Sequence, residues 1–188
     1  MKHIILGSQS PRRRELLAGL DLPFEVKVIE GISEGYPAGL APQEVARYIA
    51  KEKAYPYEGS LKADDLLVTA DTIVVVDSDV LGKPADEADA KRMLRLLSGR
   101  THQVITGVCL TTADRQKCFA VNTDVTFKNL SDEEISYYIS HYKPFDKAGA
   151  YGIQEWIGYV GVTSIQGSYF NVMGLPVQRL YQEMQELL

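Results

Sequence analysis

From Leu66 to Val76 the chain is dominated by apolar and β-branched residues. Leu66-Leu67-Val68-Thr69-Ala70 and Ile73-Val74-Val75-Val76 both read as buried strand, and Asp71-Thr72 sits between them. A carboxylate inside a buried strand is costly unless it is paired, hydrogen-bonded or bound to a metal. Asp71 is therefore the leading candidate for a catalytic or metal-binding acid. The alternative is structural: Asp71-Thr72 marks a bulge or bend between two short strands. After a turn at Asp77-Ser78-Asp79, Val80-Leu81-Gly82-Lys83-Pro84 leads back. Lys83, held between a glycine and a proline, can reach a phosphate.

A second constraint lies at the start of the chain. His3-Ile4-Ile5-Leu6 is short enough to be a buried strand, and Glu15-Leu16-Leu17-Ala18 reads as helix. Between them, Ser10 suits an N-cap and Pro11 the first helical turn, which leaves backbone N–H groups of that turn for an anion. Arg12 and Arg13 add forked donors matched to phosphate oxygens. Charge alone is equally consistent with a solvated basic helix start. The glycines of a Walker loop or dinucleotide fingerprint are absent.

The remaining chain alternates strand and helix signals. Phe24 to Val28 alternates like a strand, and Glu30 to Pro37 is a glycine-rich loop with two carboxylates. A helix from Pro42 turns Val45, Ala46 and Ile49 inward and presents Lys51 and Lys53 near its end. Asp86 to Leu97 is helical, with Gly99 as its stop, and His102 follows on a loop without an assigned role. Gln103 to Thr112 and Lys117 to Phe127 form a hairpin. Ser131 to Glu134 has the form of a capping box before a helix burying Ile135, Tyr138, Ile139 and Tyr142. Val160 to Ile165 is expected to be a strand, and a last helix buries Val177, Leu180, Tyr181, Met184 and Leu187. The loop Pro144 to Gln154 combines small residues with an acid, a cation and an amide able to read a base edge.

At 188 residues the chain is expected to form one domain, 1–188, with room for two lobes. Its net charge of -5 argues against coating nucleic acid, although a local basic pocket can hold a small anion, so no stable nucleic-acid binding is expected. No apolar run is long enough to span a membrane, and the N-terminal segment lacks signal-peptide features, so a cytoplasmic location is expected. Cys109 and Cys118 can face each other across the hairpin, and in a reducing compartment buried thiols are expected. Two cysteines and three histidines make no zinc pattern.

Together these stretches resemble the Maf family of nucleoside triphosphate pyrophosphatases. The matching segments are Ser8-Gln9-Ser10-Pro11-Arg12-Arg13 with Glu15-Leu16-Leu17, Ala70-Asp71-Thr72-Ile73-Val74, Gly82-Lys83-Pro84, and Ser98-Gly99 with His102 and Thr106-Gly107. Asp146-Lys147-Ala148-Gly149-Ala150-Tyr151-Gly152-Ile153-Gln154 and Asn171-Val172-Met173-Gly174-Leu175-Pro176 complete the set. The resemblance implies an α/β fold similar to inosine triphosphate pyrophosphatases: a long mixed β-sheet flanked by helices in two lobes with a central cleft. It also implies a homodimer, a divalent cation (Mg²⁺ or Mn²⁺), and release of pyrophosphate from a nucleoside triphosphate.

Carried onto this chain, the resemblance implies that Asp71 is the general base. Arg12, Thr72 and Gln154 would set substrate choice, while Ser8, Ser10, Arg13, Lys53 and Lys83 would contact phosphate. Glu34 would be the metal partner of Asp71. Two positions depart from the usual family pattern: Ser33 stands where Asp is common, and Glu155 where Gly is frequent. The Asp146 to Gln154 stretch resembles the branch acting on dTTP and UTP. Two competing readings are a nucleotide or nucleic-acid binding module without turnover and a phosphatase releasing the terminal phosphate.

Overall fold

The computed structural model describes residues 2–187. In chain order the first elements are β1 (His3–Leu6), α1 (Pro11–Ala18), β2 (Phe24–Val26), α2 (Pro42–Ala54), β3 (Asp65–Val76), β4 (Asp79–Leu81) and α3 (Glu87–Leu97). They are followed by β5 (Thr101–Thr111), β6 (Gln116–Phe127), α4 (Asp132–Tyr142), α5 (Trp156–Gly161), β7 (Val162–Gln166), α6 (Tyr169–Met173) and α7 (Val177–Gln185). Among the described residues the strands form one seven-stranded sheet in the order β2-β1-β3-β5-β6-β7, with β4 paired to β3. β1 is parallel to both β2 and β3, whereas β4 and β7 pair antiparallel with β3 and β6. This is a mixed sheet with helices in the crossovers, the α/β architecture expected from the sequence.

β3 is continuous through Asp71-Thr72, so no break separates its two apolar halves. Leu66, Leu67 and Val68 have no exposed surface, which accounts for the absence of polar alternation. The chain divides into two compact units. One comprises the chain up to Thr72, Thr106–Val121 and the chain from Gly174; the other comprises Ile73–Ile105 and Asn122–Met173.

In the first unit Leu6, Leu17, Val45, Ala46, Leu67 and Leu180 are buried, as are Tyr57 and Met184. The α2 helix lies directly on β5 at Gly107, where a Cβ would stand 2.2 Å from the carbonyl oxygen of Ala46. Only glycine allows that approach. In the second unit Leu94, Leu97, Ile105, Phe127, Ile135 and Tyr138 form the interior. The Ser131 capping box is present, with its side chain accepting from the Glu134 N–H and the Glu134 carboxylate accepting from the Ser131 N–H.

Several local expectations change. β2 ends at Val26, two residues early, and it is largely exposed despite its alternating sequence. His102 lies within β5 and is buried, since the strand starts at Thr101 rather than after the histidine. The Val160 to Ile165 segment begins in α5 and only Val162–Gln166 is strand, largely exposed. Tyr142 and Tyr181 are exposed, because each helix packs a narrower stripe than its spacing allows. Cys109 and Cys118 face each other on β5 and β6 with Cα atoms 4.1 Å apart, the placement across the hairpin expected from the sequence. No helix among the described residues is long and apolar enough to cross a membrane.

Candidate active site

The first unit gathers three charged groups around one point. Thr69 on β3 donates its hydroxyl hydrogen to the Ala50 carbonyl of α2 at 2.7 Å, fixing helix against strand. One helical turn onward is Lys53, and two residues along the same face of β3 is Asp71. Lys53 Nζ consequently donates to Asp71 Oδ1 at 2.8 Å. The same ammonium lies 2.8 Å from Glu34 Oε1, contributed by the loop before α2. Asp71 is buried, Lys53 is partly buried and Glu34 is exposed. A carboxylate inside an apolar strand is thus paired, as its burial requires.

Carboxylate oxygens are the donors a hard divalent cation takes. Asp71 Oδ1 and Glu34 Oε1 both lie on the Lys53 ammonium, and these two carboxylates are the oxygen donors that would hold such a cation. Among the described residues no group of three or more His, Cys, Asp or Glu side chains forms a preassembled metal cage.

Arg13 is held beside this cluster's strand. Its Nε donates to the Gly174 carbonyl at 2.8 Å, one terminal nitrogen to the Ala70 carbonyl at 2.9 Å, and the other to Thr72 Oγ1 at 3.0 Å. Burial lowers the guanidinium pKa from its usual value, and the charge of Asp71 opposes that shift. Three of its five N–H donors are therefore engaged within the protein, and the rest can serve an anion. Thr72 also hydrogen-bonds Thr106 on β5, Oγ1 to Oγ1, at 2.9 Å. Gly174, whose carbonyl completes this clamp, holds a φ of +118° that favours glycine.

At the start of α1 the expected cap is in place: Ser10 Oγ accepts from the Arg13 N–H at 3.4 Å, and Ser8 Oγ accepts from the Ser10 N–H at 3.2 Å. Arg12 on the same turn is partly buried. Ser8, Ser10, Arg12, Arg13, Glu34, Lys53, Asp71 and Thr72 all belong to the first unit.

Lys83 and Gln154 belong to the second unit. Lys83 is exposed on the segment after β4. Gln154 is half-buried. Two groups were missed from sequence. Thr106 is buried and partners Thr72, with only the Thr106-Gly107 segment as a clue. Tyr138, a core position by its helical spacing, also has a hydroxyl that accepts from the Gly152 N–H at 2.9 Å and donates to Glu155.

Fold and site together define a mixed-sheet α/β protein with a capped, basic helix start and a buried carboxylate paired to lysine. A HAM1 protein from Coxiella burnetii shares this fold, with a TM-score of 0.53 at 17% identity, covering 99% of this chain and 100% of that one. The Maf-like protein family model matches residues 3–187, and the chain belongs to that family. It is 61% identical over 184 residues to the dTTP/UTP pyrophosphatase of Phocaeicola vulgatus, covering 98% of this chain and 95% of that protein. It is 56% identical over 185 residues to the dTTP/UTP pyrophosphatase of Porphyromonas gingivalis, covering 97% and 93%.

Proposed function

We propose that this protein hydrolyses nucleoside triphosphates, dTTP and UTP in preference, to the nucleoside monophosphate and pyrophosphate. The observation that carries the reading is the convergence of Asp71 and Glu34 on Lys53. Water attack between the α and β phosphates needs an acceptor for the water's proton, charge neutralisation on the tail and in-line positioning. Asp71 orients and deprotonates the water. Lys53, Lys83 and Arg13, with Ser8, Ser10 and the first turn of α1, hold the phosphates. A divalent cation held by Asp71 and Glu34 would supply Lewis-acid polarisation of the phosphate and a more acidic water.

Base choice falls to Arg12, Thr72 and Gln154. An amide offers a donor and an acceptor, which match O4 and N3–H of thymine or uracil, whereas cytosine reverses that pattern. The names of the relatives in Phocaeicola vulgatus and Porphyromonas gingivalis support the same preference. On this reading the enzyme is a cytoplasmic homodimer of a single domain over 1–188, a state that sedimentation equilibrium checks.

The deciding experiment is hydrolysis of dTTP in water enriched in heavy oxygen. The label is expected in the monophosphate and not in pyrophosphate. Label in pyrophosphate, or orthophosphate as the only inorganic product, would instead indicate attack elsewhere on the chain of phosphates. Tight binding with no product would favour a binding module.

A further inference from the structure

The loop that carries Gln154 contains Ala148-Gly149-Ala150 and Gly152, small residues that contribute few side-chain contacts of their own. Its first half is fixed by packing: Gly149, at φ +68°, would place a Cβ 2.8 Å from Val74 Cγ2, and its N–H donates to the Gly82 carbonyl at 3.0 Å. Its second half depends on long side chains. Gly152 N–H donates to the Tyr138 hydroxyl at 2.9 Å, and that hydroxyl donates to Glu155 Oε2. Glu155 Oε1 lies 3.2 Å from Lys147 Nζ, which also donates to Asp146 at 2.8 Å.

These groups enclose the loop from within the second unit. Tyr138 is fully buried and Lys147 is 9% exposed. A Cβ on Gly152 would lie 2.9 Å from Lys147 Cε and 3.1 Å from Glu155 Cδ, so both side chains close over that glycine. Glu155 occupies the N-cap of α5 but makes no side-chain capping bond there. Its carboxylate is turned back toward Tyr138 and Lys147 instead. Gln154 sits between Ile153 and Glu155, and its backbone direction is set by the turn closed by the Glu155 N–H on the Gly152 carbonyl at 3.0 Å.

We propose that Tyr138, Glu155 and Lys147 are positioning residues for base selection: their connected hydrogen bonds and ion pair fix the Gln154 backbone, and with it which edge of a pyrimidine the amide accepts. An amide can present either donor or acceptor to the same point, so Gln154 discriminates only if its surroundings suppress the alternative. A loop of small residues released from Tyr138 and Glu155 keeps Gln154 but loses that constraint. The consequence is a looser choice of base with the hydrolytic groups of the first unit untouched. The inference rests on the reading of Gln154 given above.

The test compares kcat/KM for dTTP, UTP, CTP and GTP with Mg²⁺ in the intact protein and in Tyr138→Phe, Glu155→Ala, Glu155→Gln and Gln154→Ala. Ile135→Val on α4 serves as a mildly destabilised control. Tyr138→Phe and Glu155→Ala are expected to lower the dTTP-to-CTP ratio by roughly tenfold, the worth of one well-placed hydrogen bond, chiefly through KM for dTTP. Glu155→Gln retains an acceptor for the phenol and is expected to recover part of the ratio, whereas Ile135→Val leaves it unchanged. If Gln154→Ala flattens the ratio while Tyr138→Phe and Glu155→Ala keep it, the positioning role is overturned. A ratio unaffected by Gln154→Ala overturns the base reading itself, and the positioning role with it. Should Tyr138→Phe fail to fold, Glu155→Ala and its glutamine counterpart decide the matter.

Discussion

Lys53 Nζ and Asp71 Oδ1 lie 2.8 Å apart although they stand eighteen positions apart in the chain. The contact exists because α2 rests on the sheet at two places, Ala46 over Gly107 and Ala50 under the Thr69 hydroxyl, which brings its last turn level with the polar interruption of β3. Asp71→Asn keeps the shape of that contact while removing the charge and the proton acceptor. Turnover is expected to fall by roughly two or more orders of magnitude, with near-normal nucleotide affinity and an intact fold. Single-turnover kinetics beside equilibrium binding check this. Near-normal turnover in a folded variant would take Asp71 out of the reaction.

Gly107→Ala tests whether that resting place matters. A Cβ within 2.2 Å of a helix carbonyl cannot be relieved by rotating a side chain, so α2 must shift. The expected cost is upward of about 2 kcal/mol in urea unfolding, together with loss of activity as Lys53 moves from Asp71. Gly82→Ala, with nothing within 4 Å of the new Cβ, is expected to stay within about 0.5 kcal/mol of the parent protein. Equal stability of the two variants would contradict the close packing.

Removing divalent cations with a chelator is expected to abolish turnover, and Mg²⁺ or Mn²⁺ to restore it. A binding readout separates this from catalysis: Mn²⁺ titration followed by electron paramagnetic resonance should show weaker binding in both Glu34→Gln and Asp71→Asn, by roughly an order of magnitude. Unchanged Mn²⁺ affinity in both variants would place the cation elsewhere.

His102 provides a pH signature of folding. It is buried in β5, hydrogen-bonded through Nε2 to the Tyr151 hydroxyl at 2.7 Å, and packed edge-on against Phe127. Burial lowers its pKa to about 4, with the charge of Asp124 acting the other way. Because the folded pKa lies below the unfolded value of about 6.5, the neutral imidazole's contribution is complete above pH 6.5 and declines as pH falls toward 4. The full loss amounts to about 3 kcal/mol. Urea unfolding at pH 7.5, 5.5 and 4.5 should show a steeper decline in the parent protein than in His102→Gln, and parallel declines would mean that the histidine titrates normally.

Patterns of local origin were legible in the chain. Ser10, Pro11 and Ser131 marked helix starts because capping depends on the few residues beside the cap, and the apolar run around Asp71 marked a buried strand because burial on both faces removes polar alternation. The burial of Asp71 likewise demanded a partner. Which partner it found was settled by tertiary structure: Lys53 reaches it only because Gly107 and Thr69 seat α2 on the sheet, a long-range packing that no local spacing encodes. The same holds for Arg13, whose donors read as free for an anion yet partly engage Ala70, Thr72 and the distant Gly174. His102 looked like a loop residue and Tyr138 like plain core for one physical reason. A side chain's hydrogen-bond partners are chosen by the fold, while its neighbours in sequence report only the backbone it sits on.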